Sequence, residues 1–348
     1  MPGRLEAVGR SWADRLAAVL GRMTGTRGAV LCFHGLVTEA APSRSSMHVP
    51  LPLFEATLSL ARTVGTIVPL RDLVTRHLAG RPTDGMIAVT ADDAYASLLA
   101  AEPFLTRTAV PLTVFAVSGT LATGSTYWWD RIDDVCELAS SERWRRFEDD
   151  CGLPEAYRRG PLVQEGPARP MRQWLLAAHG GRWPDALEES MARLESDVGV
   201  RTRQRSMTDA ELSGFVRRTG VDVAVHTRSH AALPLLRDDD VLEEIRVGHA
   251  ALRARFPGVL PYLAIPFGLF DVRTLRLAAE AGMAASLTLA GDPLRARFDA
   301  DVGLTRVCVV RQQTSGAVAL KLSGAGTLLN RLRGHRTTPY PPLPSPTT

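Results

Sequence analysis

The sequence predicts an α/β protein: a distorted parallel (β/α)7-type barrel interrupted by an inserted helical subdomain. Three observations carry that reading. About seven short apolar runs alternate with segments of helical periodicity, as strand-crossover-strand units do. The alternation lapses between about residues 125 and 205, a charged and mostly helical stretch that holds Trp128, Trp129, Trp144, Trp174 and Trp183, five of the six tryptophans. Finally, side chains able to do chemistry stand at the carboxyl ends of the apolar runs, where barrels of this class build their sites.

The chain has 348 residues, 45% of them hydrophobic and 22% charged, enough for a large, fully cored α/β unit. A formal charge of +4, with arginines spread along the whole chain, gives no support to a nucleic-acid role. Cys32, Cys136, Cys151 and Cys308 lack CxxC spacing and read as reduced, structural residues. The longest apolar run near the N-terminus is Leu16 to Leu20, too short for a signal segment, and no transmembrane segment is expected. The expectation is a cytoplasmic protein, free or peripheral to the inner face of a membrane.

In chain order, Trp12, Leu16, Val19, Leu20 and Met23 recur at helical spacing and predict an N-terminal helix within residues 1–27. Gly28 to Gly35 reads as a buried strand ending on His34. Pro52 to Gly65 is helical in pattern, with proline near its start and glycine at its end. Ile87 to Asp92 is the next strand, residues 94–108 a helix that Pro103 would kink or break, and Leu112 to Gly119 the third strand. The insert, 125–205, separates a first barrel part over 28–124 from a second over 206–333. There, strands are expected at Val221 to Thr227, Tyr262 to Pro266, Ala285 to Leu289 and Leu304 to Val310, with helices at 239–255, 271–283 and 315–332. Residues 334–348, rich in Pro, Ser and Thr, predict a disordered tail.

Two imidazoles and one carboxylate commonly hold a catalytic divalent metal and leave a position open for water. His226 and His230 are spaced to reach one ion from a helix or from a tight loop. Singly these features mean little: HxxxH pairs are frequent, and adjacent aspartates such as Asp92 and Asp93 often cap a helix or sit in solvent. Their occurrence together, each at the end of an apolar strand, points to one site.

With those residues in place the chain resembles the polysaccharide deacetylases, the NodB-homology carbohydrate esterases, over about Gly28 to Asp130 and Thr208 to Val310. Thr90-Ala91-Asp92-Asp93-Ala94 stands where that family has TFDDG, His226-Thr227-Arg228-Ser229-His230 meets its H-S/T-x-x-H motif, and Pro266-Phe267-Gly268 meets the end of R-x-P-Y/F-G. The resemblance implies Asp92 as general base, Asp93, His226 and His230 as ligands of a divalent metal, most readily Zn²⁺, and the backbone N–H of Phe267 as an oxyanion donor. The run Tyr127-Trp128-Trp129-Asp130 followed by a helical insert is similar to a bacterial subgroup of the family. Trp129, Pro266 and Tyr95 are the residues expected to meet substrate.

Three positions depart from the family pattern. Ala91 replaces a phenylalanine, Ala94 a glycine, and Ala264 the arginine that in relatives orients the base; Arg228 or Arg306 could take its place. The family's late histidine acid also has no counterpart, since only His249 and His335 follow His230. By elimination His34 is expected as the general acid, with His48 the weaker candidate. The resemblance implies removal of an acetyl group, N-acetyl foremost, from a sugar of a glycan or its lipid-linked precursor. The alternatives are a degenerate carbohydrate-binding member and a metal-dependent amidase acting on a non-sugar amide.

Overall fold

The computed structural model describes residues 28–158, 168–289 and 303–322. The expected N-terminal helix, the tail and the far end of the last helix lie outside them. The parallel sheet runs through β5 (Met86–Ala91), β6 (Thr113–Ala116), β7 (Asp222–Val225), β8 (Leu260–Ala264) and β9 (Ala285–Thr288) to β10 (Leu304–Thr305). On the other side of β5 lie β1 (Ala29–Phe33) and β11 (Val307–Cys308). β4 (Thr66–Ile67) adds to β5 beside this path, and β2 (Leu36–Val37) pairs separately with β3 (Val49–Pro50).

A single residue, Arg306, separates β10 from β11, yet β10 pairs with β9 and β11 with β1. Residues 304–308 are therefore one kinked strand that joins the two edges of the sheet. Counted once, with β1, β5, β6, β7, β8 and β9, it gives the ring of seven that the alternation predicts. The predicted run Leu304 to Val310 is broken at its middle because Arg306 N–H turns to Thr288 O at 2.9 Å while Val309 N–H bonds Cys32 O at 2.9 Å.

Strand alternation sorts the side chains into two layers. Ala29, Leu31, Phe33, Ile87, Val89, Ala91, Val114, Val223 and Leu263 face outward into the core shared with the surrounding helices. Val30, Ala88, Phe115, Ala224, Tyr262, Ala264, Ala285, Leu287 and Leu304 face a second, inner cluster. Leu70, Leu73 and Val74, from a helix over Leu70–Leu78 that the sequence reading passed over, join that inner cluster. A helix over Asp209–Thr219 was likewise passed over. Cys32, Thr90, Asp92 and His226 have the inward parity, so the same alternation that fills the barrel stacks polar groups above its apolar filling.

Two helix expectations shift. Residues 94–108 divide into a 3-10 turn over Ala96–Ala101 and an α-helix over Glu102–Thr108, with Pro103 in the first turn of the latter, where its missing N–H costs nothing. In the insert, helices over Trp128–Cys136, Ser141–Asp150, Glu155–Arg158, Arg169–His179 and Glu188–Val198 bury Trp128, Trp144, Trp174, Ile132, Phe147 and Met191 together. Those tryptophans serve as the core of this helical layer. Trp129, Trp183 and Phe267 pack on its margin.

Candidate active site

The site lies at the carboxyl ends of β1, β5, β7 and β8. Asp93, His226 and His230 are all buried, and one oxygen of Asp93, Oδ1, lies 3.4 Å from Nε2 of both His226 and His230. That oxygen has no hydrogen-bond donor, although it is buried. A buried carboxylate oxygen without a donor is costly unless something else answers its charge. The three ligand atoms converge closely enough to hold one ion. A carboxylate and two imidazoles are a donor set that suits zinc and its neighbours, so the residues present fit the metal that the resemblance implies.

The surroundings fix each donor. His226 Nδ1 lies 2.8 Å from Ala264 O, which leaves Nε2 for the ion. His230 receives support through its backbone, its N–H bonding Thr227 Oγ1 at 2.9 Å. Burial holds the His230 imidazole neutral, pushed down to about 3, the form a ligand needs. The turn between the two histidines is tied to a helix over Asp238–Arg255: buried Glu244 accepts from Ser229 N–H at 2.8 Å and Ser229 Oγ at 2.6 Å. Gly248 permits this contact, because a Cβ there would stand 2.8 Å from the Thr227 carbonyl carbon. Neither residue is signalled by any motif.

Backbone strain concentrates here. Asp93, Ala94, Thr227, His230 and Phe267 have φ of 67°, 49°, 64°, 59° and 56°, the left-handed region that non-glycine residues seldom occupy. Ala94 thus adopts the conformation for which relatives use glycine. Its turn is held by Met207 N–H to Ala94 O at 2.7 Å and by Tyr127 hydroxyl to Asp93 O at 2.8 Å.

Asp92 has a different environment. Arg306 grips both its oxygens, Nη1 to Oδ1 at 2.7 Å and Nη2 to Oδ2 at 2.8 Å, and both side chains are buried. Burial alone would raise this carboxyl's pKa, but the paired Arg306 guanidinium outweighs it and holds Asp92 well below the usual carboxylate range. The role of the arginine missing at Ala264 is therefore taken by one on the closing strand, which β9 separates from β8. Arg228 does not serve, since its guanidinium is partly exposed and pairs with Glu243 and Glu244.

His34 is half-buried beside Cys308, which hydrogen-bonds it. Burial lowers its proton affinity, but the Cys308 bond and the negative charges of Cys308, Asp92 and Asp93 outweigh this and raise it to about 9. His48 is fully enclosed, 3.3 Å from Asp130 and edge-on to Tyr95, and burial pushes it down to about 3. An acid must be protonated and within reach of the substrate; His48 is neither. His249 lies on the Asp238–Arg255 helix, and His335 is outside the described residues.

The residues expected to meet substrate separate. Trp129 is partly open and its ring centroid stands 4.5 Å from that of His230, as does the edge-packed ring of Phe267, so two aromatic rings flank this candidate ligand. Tyr95 is only 1% exposed, its hydroxyl donating to Asp130 at 2.6 Å and accepting from Trp129 Nε1 at 3.0 Å. Pro266 is buried as well. Tyr95 thus holds Trp129 through its hydroxyl, and Pro266 opens the turn that carries Phe267.

Residues 199–286 match the family model described as polysaccharide deacetylase, a stretch that includes His226, His230 and Phe267. A search of curated protein sequences finds no match. Among solved structures, the deacetylase PplD of Streptococcus pyogenes, solved with acetate, is similar at 13% identity and TM-score 0.53, over 86% of this chain and 99% of that one. IcaB of Ammonifex degensii is similar at 18% identity and TM-score 0.54, over 86% and 98%. A polysaccharide deacetylase of Bacillus cereus aligns at 13% identity and TM-score 0.53, over 86% and 69%. At such identities the structures establish the fold. The match over 199–286 agrees with the resemblance read from the motifs, and the similar structures share the barrel fold of this chain.

Proposed function

We propose that the chain is a metal-dependent hydrolase that removes an acetyl group, N-acetyl foremost, from a sugar of a glycan or glycan precursor. The observation that carries this is the division of labour between adjacent carboxylates: Asp93 turns a donor-free oxygen toward His226 and His230, while Arg306 holds Asp92 apart. A binding-only descendant has no need of both arrangements.

Asp93, His226 and His230 would hold the metal, with Zn²⁺ the ion best suited to this donor set. When bound it supplies a water of lowered pKa and a Lewis acid for the acetyl carbonyl. Asp92, ionised through its pairing with Arg306, accepts the proton of the attacking water. The backbone N–H of Phe267 is the donor assigned to the developing oxyanion. His34, held protonated by its neighbours, gives its proton to the departing amine nitrogen. Trp129 and Phe267 offer the aromatic faces on which a sugar ring or its acetyl methyl would rest. Membership of the insert-bearing subgroup is supported by the run Tyr127 to Asp130 opening the helical layer.

Acetate release from N-acetylated saccharides tests the proposal. Wild type should release acetate and Asp92→Asn should lose the activity while keeping its metal; equal release by both would remove Asp92 as base. Asp93→Asn should weaken metal binding by more than the roughly 10–100-fold typical of outer-shell changes. Wild type that binds no metal from micromolar zinc would overturn the reading.

A further inference from the structure

The barrel holds a second group of potential ligands that shares no residue with the first. Cys32 and Cys308 are register partners on the parallel strands β1 and β11. His34 lies two residues beyond Cys32, on the same side of its strand. The ligand atoms of Cys32, His34 and Cys308 all lie within 4.8 Å of one another. Cys32 is fully buried, whereas His34 and Cys308 are half-buried. The Nδ1 atom of His34 is buried with no hydrogen-bond partner. All four described cysteines are free.

From this geometry we infer a second cation site, formed by the two sulfurs and one imidazole of Cys32, Cys308 and His34, for a thiophilic ion such as Zn²⁺ or Cd²⁺. The donor set decides the class, because thiolate with imidazole selects soft and borderline ions and disfavours Mg²⁺ and Ca²⁺, which require oxygen. Binding exchanges two protons, that of the Cys32 thiol and that of the protonated His34 ring beside the Cys308 sulfur, for one divalent cation and needs no oxidant. The local charge balances: two thiolates offset the ion, and the adjacent Asp92 and Arg306 offset each other. Cys32 Sγ, now 3.5 Å from Asp92 Oδ2, would exchange that weak hydrogen bond for the ion.

A consequence follows that rests on the function proposed above. An ion on either nitrogen of His34 displaces the proton that makes the ring an imidazolium, so the ring no longer serves as acid for the departing amine. One equivalent of metal, on Asp93, His226 and His230, would support turnover, and a second would stop it.

The binding test does not depend on turnover. Reduced, metal-free full-length protein is titrated with Cd²⁺ alone under anaerobic conditions, and the ultraviolet thiolate-to-cadmium band is followed. Wild type should take up two equivalents and develop the band with one of them. Asp93→Asn should lose one equivalent and keep the band; Cys308→Ser should lose the other and the band with it. A Cys136→Ser/Cys151→Ser variant should keep both. Because Cys32 is fully buried and its replacement risks folding, His34→Ala serves as the second probe and should weaken the band's titration, with circular dichroism verifying the fold. A wild type without the band, or a Cys308→Ser protein that retains it, overturns the site. In the kinetic arm, zinc beyond one equivalent should suppress acetate release by wild type, and Cys308→Ser should resist suppression relative to its own rate at one equivalent. Suppression that is the same in both would overturn the inhibitory consequence alone. Absence of acetate release throughout would count against the proposed function and leave the cadmium result standing.

Discussion

Arg306 and Asp92 form a two-pronged ion pair at 2.7 and 2.8 Å inside the barrel, between the junction of β10 with β11 and the end of β5. Two donors on two oxygens fix the carboxylate plane as well as its charge. Removing one partner of such a pair strands the other. Arg306→Ala should therefore destabilise the fold by about 3–5 kcal/mol, measured by urea unfolding. Arg306→Lys should retain more stability yet lose most of kcat, because a single ammonium cannot set the plane. A Lys variant with an unchanged rate would show that charge alone suffices.

His34 is raised to about 9, so the sign of its pH effect is set. As the acid it must be protonated, and the rate should fall as pH rises through that value. His34→Gln should lower kcat by roughly 10²–10⁴ with metal content unchanged, and should abolish the alkaline fall. An alkaline limb that persists in the variant would assign the limb to another group.

Tyr95 joins buried Asp130 to Trp129 through one hydroxyl. Tyr95→Phe should cost about 1–3 kcal/mol in thermal unfolding, since Asp130 loses its donor inside the protein. Freed from its acceptor, Trp129 should also hold substrate less well, so KM should rise. A KM unchanged at reduced stability would confine Tyr95 to packing.

Glu211 closes a capping box with Thr208 and pairs with Arg205, in the segment whose Met207 N–H supports the Ala94 turn. Its hydrogen bonds with Arg205 lower its pKa from 4.5 to about 2. A depressed folded pKa contributes stability above the unfolded value and loses it as pH falls toward the folded one. Glu211→Gln should thus be less stable by about 1 kcal/mol at neutral pH, and the difference should close between 4.5 and about 2. A gap constant across that range would place the effect in packing.

Much of the site was legible because strand alternation and strand ends are sequence properties. Asp92, Asp93, His226 and His230 stand where the apolar runs stop, and the barrel brings them together. Arg306 could be named as a candidate for the missing arginine, but choosing it over Arg228 required knowing that residues 304–308 close the ring. Closure depends on pairing between β1 and β11, far apart in the chain, and no local pattern encodes it. The burial of Tyr95 and Pro266 was not legible for a related reason: they stand beside the site in sequence, while the insert and the turn around them set their exposure. Cys32 and Cys308 read as inert apolar fillers until register set them side by side.

The kinked closing strand orders events during synthesis. When residue 303 has been made, Asp93, His226 and His230 already exist, just beyond β5 and β7. Asp92, however, has no cation to align it until Arg306 arrives, and β1 and β9 have nothing between them. A chain that ends before Arg306 therefore carries Asp93, His226 and His230 but leaves Asp92 unpaired, so the Asp92 ion pair is completed only by the closing strand.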